Sequence, residues 1–226
     1  MIQLDNIHRT YILNKDSVVE AVKGVNLIIE NGDYIIITGR SGSGKTTLLN
    51  LTAGLTRPTS GRVILDGVDL WTLSDRQQSR LRSQKLGFIF QFPSLLPTLN
   101  VLENVVLPVI FNDKSDRMAA FERANELLKL VGLESKKDSY PRQLSAGQQQ
   151  RVVISRALMN QPEILLADEP TSDLDERTEH EIVELISKIH CEKGITIVMV
   201  THTTKLASYG TKAIEMVEGM IKNSSV

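Results

Sequence analysis

The string Gly39-Arg40-Ser41-Gly42-Ser43-Gly44-Lys45-Thr46-Thr47 constrains this chain more than any other feature it carries. It follows the apolar β-type run Tyr34 to Thr38 and leads into Thr46 to Leu55, which reads as a buried helix. A glycine-rich segment in that context is a phosphate-binding loop. Glycines let the backbone curl until successive N–H groups point inward, and the following helix adds its orphan donors and the positive end of its dipole. Polyphosphate is the ligand this geometry suits. Lys45 is placed to reach the β- and γ-phosphates as a point charge and the Thr46 hydroxyl to ligate Mg²⁺, with Ser41, Gly42, Ser43, Gly44 and Thr47 completing the cradle.

A second string, Ile164-Leu165-Leu166-Ala167-Asp168-Glu169-Pro170, ends an apolar β-type run in two adjacent acids. Ligands of open α/β sheets collect at the carboxyl ends of the strands, which puts both acids near the nucleotide. Side chains alternate along a strand, so the two acids have different jobs: Asp168 suits the Mg²⁺ shell, and Glu169 suits polarising an attacking water. Two such acids standing alone would read as a solvated strand end or a helix cap. Beside a phosphate loop they read as a hydrolytic pair.

The rest of the chain supports an α/β core. Ala21 to Ile29 and Tyr34 to Thr38 are β-rich runs separated by Asn31-Gly32, a hairpin-turn signal. Leu86 to Phe90, Ile195 to Val200 and Lys212 to Val217 are further β-rich runs that alternate with helix-like stretches, as in a sheet covered on both faces. Between Phe92 and Gln161 the strand signal disappears, and Arg117 to Val131 carries Met118, Phe121, Leu128 and Val131 at helical spacing. This predicts a helical subdomain over 92–160 inserted into a core formed by 1–91 and 161–226. No internal repeat or low-complexity segment interrupts that plan.

Composition narrows the partners. With 26 Lys plus Arg against 27 Asp plus Glu, the formal charge of −1 gives no global attraction to nucleic acid or anionic membrane. The single cysteine, Cys191, cannot form an internal disulfide and fits a reducing cytosol. No segment approaches the ~18 consecutive apolar residues a spanning helix needs, so any membrane part is expected on another chain.

Leu144-Ser145-Ala146-Gly147-Gln148-Gln149-Gln150-Arg151 resembles the signature motif of the ABC ATPases. Ser145 and Gly147 precede the amphipathic stretch Gln148 to Met159, which places a hydroxyl and free backbone donors at a helix N-terminus, a second anion site. The resemblance implies a P-loop NTPase core with a RecA-like mixed sheet, an antiparallel β subdomain and an inserted α-helical subdomain. It also implies that Ser145, Gly147 and Gln148 grip the γ-phosphate of ATP bound to a second copy, so that two ATP molecules are buried in a homodimer. By the same resemblance Gln91 is similar to the lid glutamine that senses Mg²⁺. Ser172 to Asp175 resembles the D-loop, His202 the switch histidine near the γ-phosphate, and Tyr11 the aromatic that stacks on adenine, a core tyrosine being the alternative. Ala146 stands where the family pattern has glycine, which matters if the position needs φ > 0, and Thr203 stands where it has aspartate.

Within the family, LLNLTAGLTRPTSGRVILDG, RSQKLGFIFQFPSLLPTLNVLENVVLP and LSAGQQQRVVISRAL resemble the branch of lipoprotein release, macrolide export and cell division. That implies an ATP-hydrolysing subunit on the cytoplasmic face of the membrane, powering integral membrane subunits. Phe92 to Leu99, apolar and punctuated by prolines, is either a patch for a partner helix or a buried turn. Arg76, Arg80, Arg82 and Lys85 face either lipid headgroups or solvent. A soluble ABC ATPase of DNA repair or translation would show a long coiled-coil insertion or two nucleotide domains. A regulator without turnover would lack Glu169 or His202.

Overall fold

The computed structural model describes residues 1–14, 17–110 and 116–222. Four strands, β1 (Ile2–Asn14), β2 (Ser17–Ile29), β4 (Ser60–Leu65) and β5 (Val68–Asp69), form an antiparallel sheet in the order β2-β1-β4-β5. A second sheet takes β3 (Tyr34–Thr38), β6 (Leu86–Ile89), β7 (Ile164–Asp168), β8 (Thr196–Thr201), β9 (Lys212–Val217) and β10 (Met220–Lys222) in the order β10-β9-β3-β8-β7-β6. Its strands run parallel except for the β9–β10 hairpin. The helices are α1 (Lys45–Thr52), α2 (Asp75–Lys85), α3 (Val101–Ile110), α4 (Arg117–Leu130), α5 (Ala146–Ala157) and α6 (Glu176–Lys193).

The parallel strands are apolar on both faces because each face feeds a different core. Tyr34 and Ile36 of β3, Leu165 and Ala167 of β7, and Ile197 and Met199 of β8 pack with α3 to α6. The alternate residues Ile35, Ile37, Ile164, Leu166, Val198 and Val200 pack with α1 and the antiparallel sheet. The fold is the mixed α/β architecture expected.

Several local expectations are corrected. The Asn31-Gly32 turn joins no hairpin: β2 pairs with β1, whereas β3 lies between β8 and β9, so the chain changes sheets there. That crossing is fixed by Asp33, whose carboxylate accepts the Glu30 N–H at 2.8 Å, and by the Gly32 N–H on the Thr196 hydroxyl at 2.9 Å. On α4 the buried stripe is Ala120, Ala124, Leu127 and Leu128; Met118 and Phe121 face outward, 75% and 37% exposed. Asp116 caps that helix by accepting the N–H groups of Met118 and Ala119. The basic cluster also divides. Lys85 binds Asp66 and Glu163, and Arg82 donates to the Gly54 carbonyl, which leaves Arg76 and Arg80 on the exposed face of α2.

Candidate active site

Parallel pairing puts the carboxyl ends of β3, β6, β7 and β8 on one edge of the sheet, and the predicted site residues follow those ends directly. After β3 the chain curls through residues 39–44 into α1, whose N-cap is Gly44 at φ +100 with no side-chain cap among the described residues. The first-turn N–H groups face a cavity of about 500 Å³ lined by Ser41, Gly42, Gly44, Lys45, Thr46, Thr47, Gln91 and Glu169. A side chain at Gly44 would strike the Ala21 carbonyl, so position 44 needs both the left-handed backbone and the missing Cβ.

Lys45 is 4% exposed and donates to the carbonyls of Gly39 and Arg40 at 2.9 and 3.1 Å. Its Nζ stands 3.6 Å from Glu169 Oε1, and the other oxygen of that carboxylate is 2.8 Å from His202 Nδ1. Thr46 donates its hydroxyl to Asp168 Oδ1 at 3.0 Å. Burial pushes the Asp168 carboxyl above its usual range, an effect the Thr46 hydrogen bond and nearby Lys45 oppose and neighbouring Glu169 reinforces. Two hard oxygen donors side by side, one a partly desolvated carboxylate, fit a divalent ion that prefers oxygen ligands.

Glu169 does not continue the strand alternation. It sits at φ +43, a left-handed conformation uncommon outside glycine, with its N–H on the Val200 carbonyl at 2.9 Å. This kink sends Glu169 toward Lys45 and His202 while Asp168 meets Thr46. His202 takes its orientation from Glu169, and the turn that bears it is closed by the Thr203 N–H on the Thr201 hydroxyl at 3.0 Å. The threonine in place of aspartate therefore leaves the histidine held.

Other predicted residues lie elsewhere. Ser43 is buried, its hydroxyl without a hydrogen-bond partner among the described residues, and lines the far side of the loop. Tyr11 lies outside the cavity lining; the Arg9 guanidinium covers one face of its ring at 4.5 Å, and across the strand pair it meets Val19, which does line the cavity. Ser145, Gly147 and Gln148 start α5, away from this cavity. Ser145 caps the helix by accepting the Gln148 N–H at 3.3 Å, and the Gln148 side chain returns to the Ser145 N–H at 3.1 Å. Ala146 is the first residue of α5 and is absent from the positive-φ positions, so glycine is not needed there. In the Phe92 to Leu99 segment, Phe92 and Leu96 are 65% and 46% exposed while Leu95 packs on the core.

Sequence reasoning missed one wall of the cavity, formed by Val19, Glu20, Ala21 and Lys23 of β2 with Glu218 and Gly219. The last two form the two-residue β9–β10 turn, both at positive φ. Gly219 donates its N–H to the Ser43 carbonyl at 3.0 Å and accepts the Lys23 N–H at 2.8 Å, tying the phosphate loop to the antiparallel sheet. The Glu-Gly pair between two β-rich runs was the available signal.

A phosphate loop at the end of a central parallel strand, flanked by acids and a histidine from neighbouring strand ends, defines a P-loop nucleoside triphosphatase. The ABC transporter family model matches residues 22–172. The chain is 41% identical to the lipoprotein-releasing system ATP-binding protein LolD 1 of Chlorobium chlorochromatii, over 98% of this chain and 90% of that protein. It is 44% identical to the macrolide export ATP-binding/permease protein MacB of Rhodopirellula baltica, over 98% of this chain but only 32% of that longer protein. The dimeric post-hydrolysis structure of the cassette MJ0796 from Methanocaldococcus jannaschii, bound to ADP and Pi, superposes with a TM-score of 0.90 at 41% identity, covering 100% of this chain and 98% of that one. This chain belongs to the ABC transporter family, as an ATP-binding and ATP-hydrolysing subunit.

Proposed function

We propose that the chain works as one half of an ATP-sandwiched homodimer that drives separate integral membrane subunits from the inner face of the membrane, for export, lipoprotein release or mechanical work on the envelope. The observation that carries this reading is the separation of two anion-binding elements. The α5 N-terminus, with Ser145 and Ala146 exposed, contributes nothing to the cavity around Lys45, so a second copy is needed to bring them together.

In this reading residues 1–91 and 161–226 form the nucleotide-binding core and 92–160 the signature-bearing lobe. The loop from Ser41 to Thr47 holds the phosphates through backbone N–H groups, and Lys45 leaves the Gly39 and Arg40 carbonyls to meet them. Bound near Thr46, Asp168 and Gln91, Mg²⁺ would neutralise charge on the transferred phosphoryl group. Glu169 takes the proton of the attacking water, and His202 fixes that carboxylate and faces the γ-phosphate. Adenine stacks on the face of Tyr11 that Arg9 leaves open. Ser145, Gly147 and Gln148 reach the γ-phosphate held by the partner copy, using the Ser145 hydroxyl proton and the first-turn donors of α5.

Among the described residues no helix is long and apolar enough to cross a membrane. Exposed Phe92 and Leu96, next to Gln91, are the apolar surface offered to a membrane subunit. Hydrolysis that requires two half-sites to close rises with the square of protein concentration when dilute. A rate strictly linear in concentration at all dilutions contradicts the paired-site reading.

A further inference from the structure

Gln91 leaves β6, a strand of the parallel sheet, but the chain beyond it is held by the helices. Asn104 of α3, fully buried, accepts the Leu96 N–H at 2.8 Å and donates to the carbonyls of Leu96 and Leu99 at 3.1 and 3.0 Å. Nearer to Gln91, Arg156 in the last turn of α5 donates through its two terminal nitrogens to the carbonyls of Ser94 and Pro93, each at 2.9 Å. No carboxylate pairs with Arg156 among the described residues, and burial disfavours its charge. A desolvated guanidinium without an acid persists where its planar fork is matched by acceptors, here two successive loop carbonyls. The same clamp restrains Ser94, a non-glycine residue at φ +45.

We infer that Arg156 is a positioning residue for hydrolysis: by fastening Pro93 and Ser94 to the end of α5, it makes the helix capped by Ser145 and the segment that carries Gln91 move as one body. Ser145 and Arg156 stand at opposite ends of α5, roughly 17 Å apart at 1.5 Å per residue. A phosphate contact at Ser145 then shifts Gln91 within its own cavity, and each site registers whether the other has closed. The inference rests on the proposed roles of Gln91 and Ser145.

A double-mutant cycle on the full-length chain tests it, with kcat and KM measured for MgATP at saturating protein and thermal melts confirming the fold. Arg156→Met lowers kcat about tenfold while KM stays within twofold, and Arg156→Lys, which keeps the charge but cannot bridge both carbonyls, falls between. In a Gln91→Ala background the same Arg156 changes alter kcat less than twofold. A full tenfold loss in that background, or an unchanged kcat for Arg156→Met alone, overturns the inference. Wild-type kcat for Gln91→Ala alone removes the Gln91 reading first and this inference with it. If Arg156→Met fails to fold, Arg156→Lys carries the same cycle.

Discussion

His202 Nδ1 stands 2.8 Å from Glu169 Oε2, so the histidine after β8 and the acid after β7 hold one another across the sheet edge. Because Glu169 is also drawn toward Lys45 and is kinked into a left-handed backbone, its carboxylate has few other ways to point. His202→Ala removes one of the two restraints on Glu169, the proposed base. Turnover is expected to fall on the order of 10²-fold with ATP affinity nearly unchanged, as phosphate release and equilibrium nucleotide binding will show.

Lys45 Nζ donates to the loop carbonyls of Gly39 and Arg40, and in the proposed function the same ammonium meets the phosphates. Lys45→Met is expected to weaken ATP binding at least ~10-fold, about 1.4 kcal/mol or more. It also strands the Gly39 and Arg40 carbonyls and leaves Glu169 without its cation, so urea unfolding should show a loss of about 1–3 kcal/mol. Unchanged nucleotide binding contradicts the placement of Lys45 on phosphate.

Gly147 is set by packing rather than by φ. A Cβ there would strike Cγ2 of Thr178 in the first turn of α6. Gly147→Ala is expected to cost about 1–3 kcal/mol and to lower turnover, because it pushes the α5 N-terminus off α6. Thr178→Ser deletes that methyl while keeping the hydroxyl on Asp175, and should restore most of both losses in the double variant. Chemical denaturation of the four proteins decides it.

Lys85 bridges Asp66 of the antiparallel sheet and Glu163 just before β7. Its hydrogen bond holds the Asp66 carboxyl below the usual carboxylate range. A carboxyl lowered in the folded state adds stability above its unfolded pKa of ~3.9, and that stability disappears as pH falls through the folded value. Lys85→Met should therefore cost up to about 1 kcal/mol at pH 7, the pair being partly exposed, and the difference from wild type should shrink in urea melts below about pH 4.

What the sequence made legible was whatever depends on local chemistry. The glycine loop, the apolar run ending in Asp168-Glu169 and the stretch without strands all come from residue types in order, and the mixed α/β structure bears out the fold class. Illegible were features set by pairing between distant strands. Nothing at Asn31-Gly32 distinguishes a hairpin turn from a change of sheet, because both need the same turn residues. The helical spacing of Met118, Phe121, Leu128 and Val131 does not tell which face of α4 is buried, because Ala120 and Ala124, small and weakly hydrophobic, fill it beside Leu127 and Leu128 while larger Met118 and Phe121 point out. The kink at Glu169 and the contact of Gly219 with Ser43 exist only once β7, β8 and the β9–β10 turn are assembled.

The paired-site account is tested most directly by the mass in solution of wild type and Glu169→Gln, with and without MgATP, alongside phosphate release from each. The substitution leaves the phosphate loop intact and removes the proposed proton acceptor, so the account predicts a Glu169→Gln protein that releases no phosphate and doubles in mass only when MgATP is added. A Glu169→Gln protein that still hydrolyses ATP and stays monomeric contradicts both the base and the sandwich.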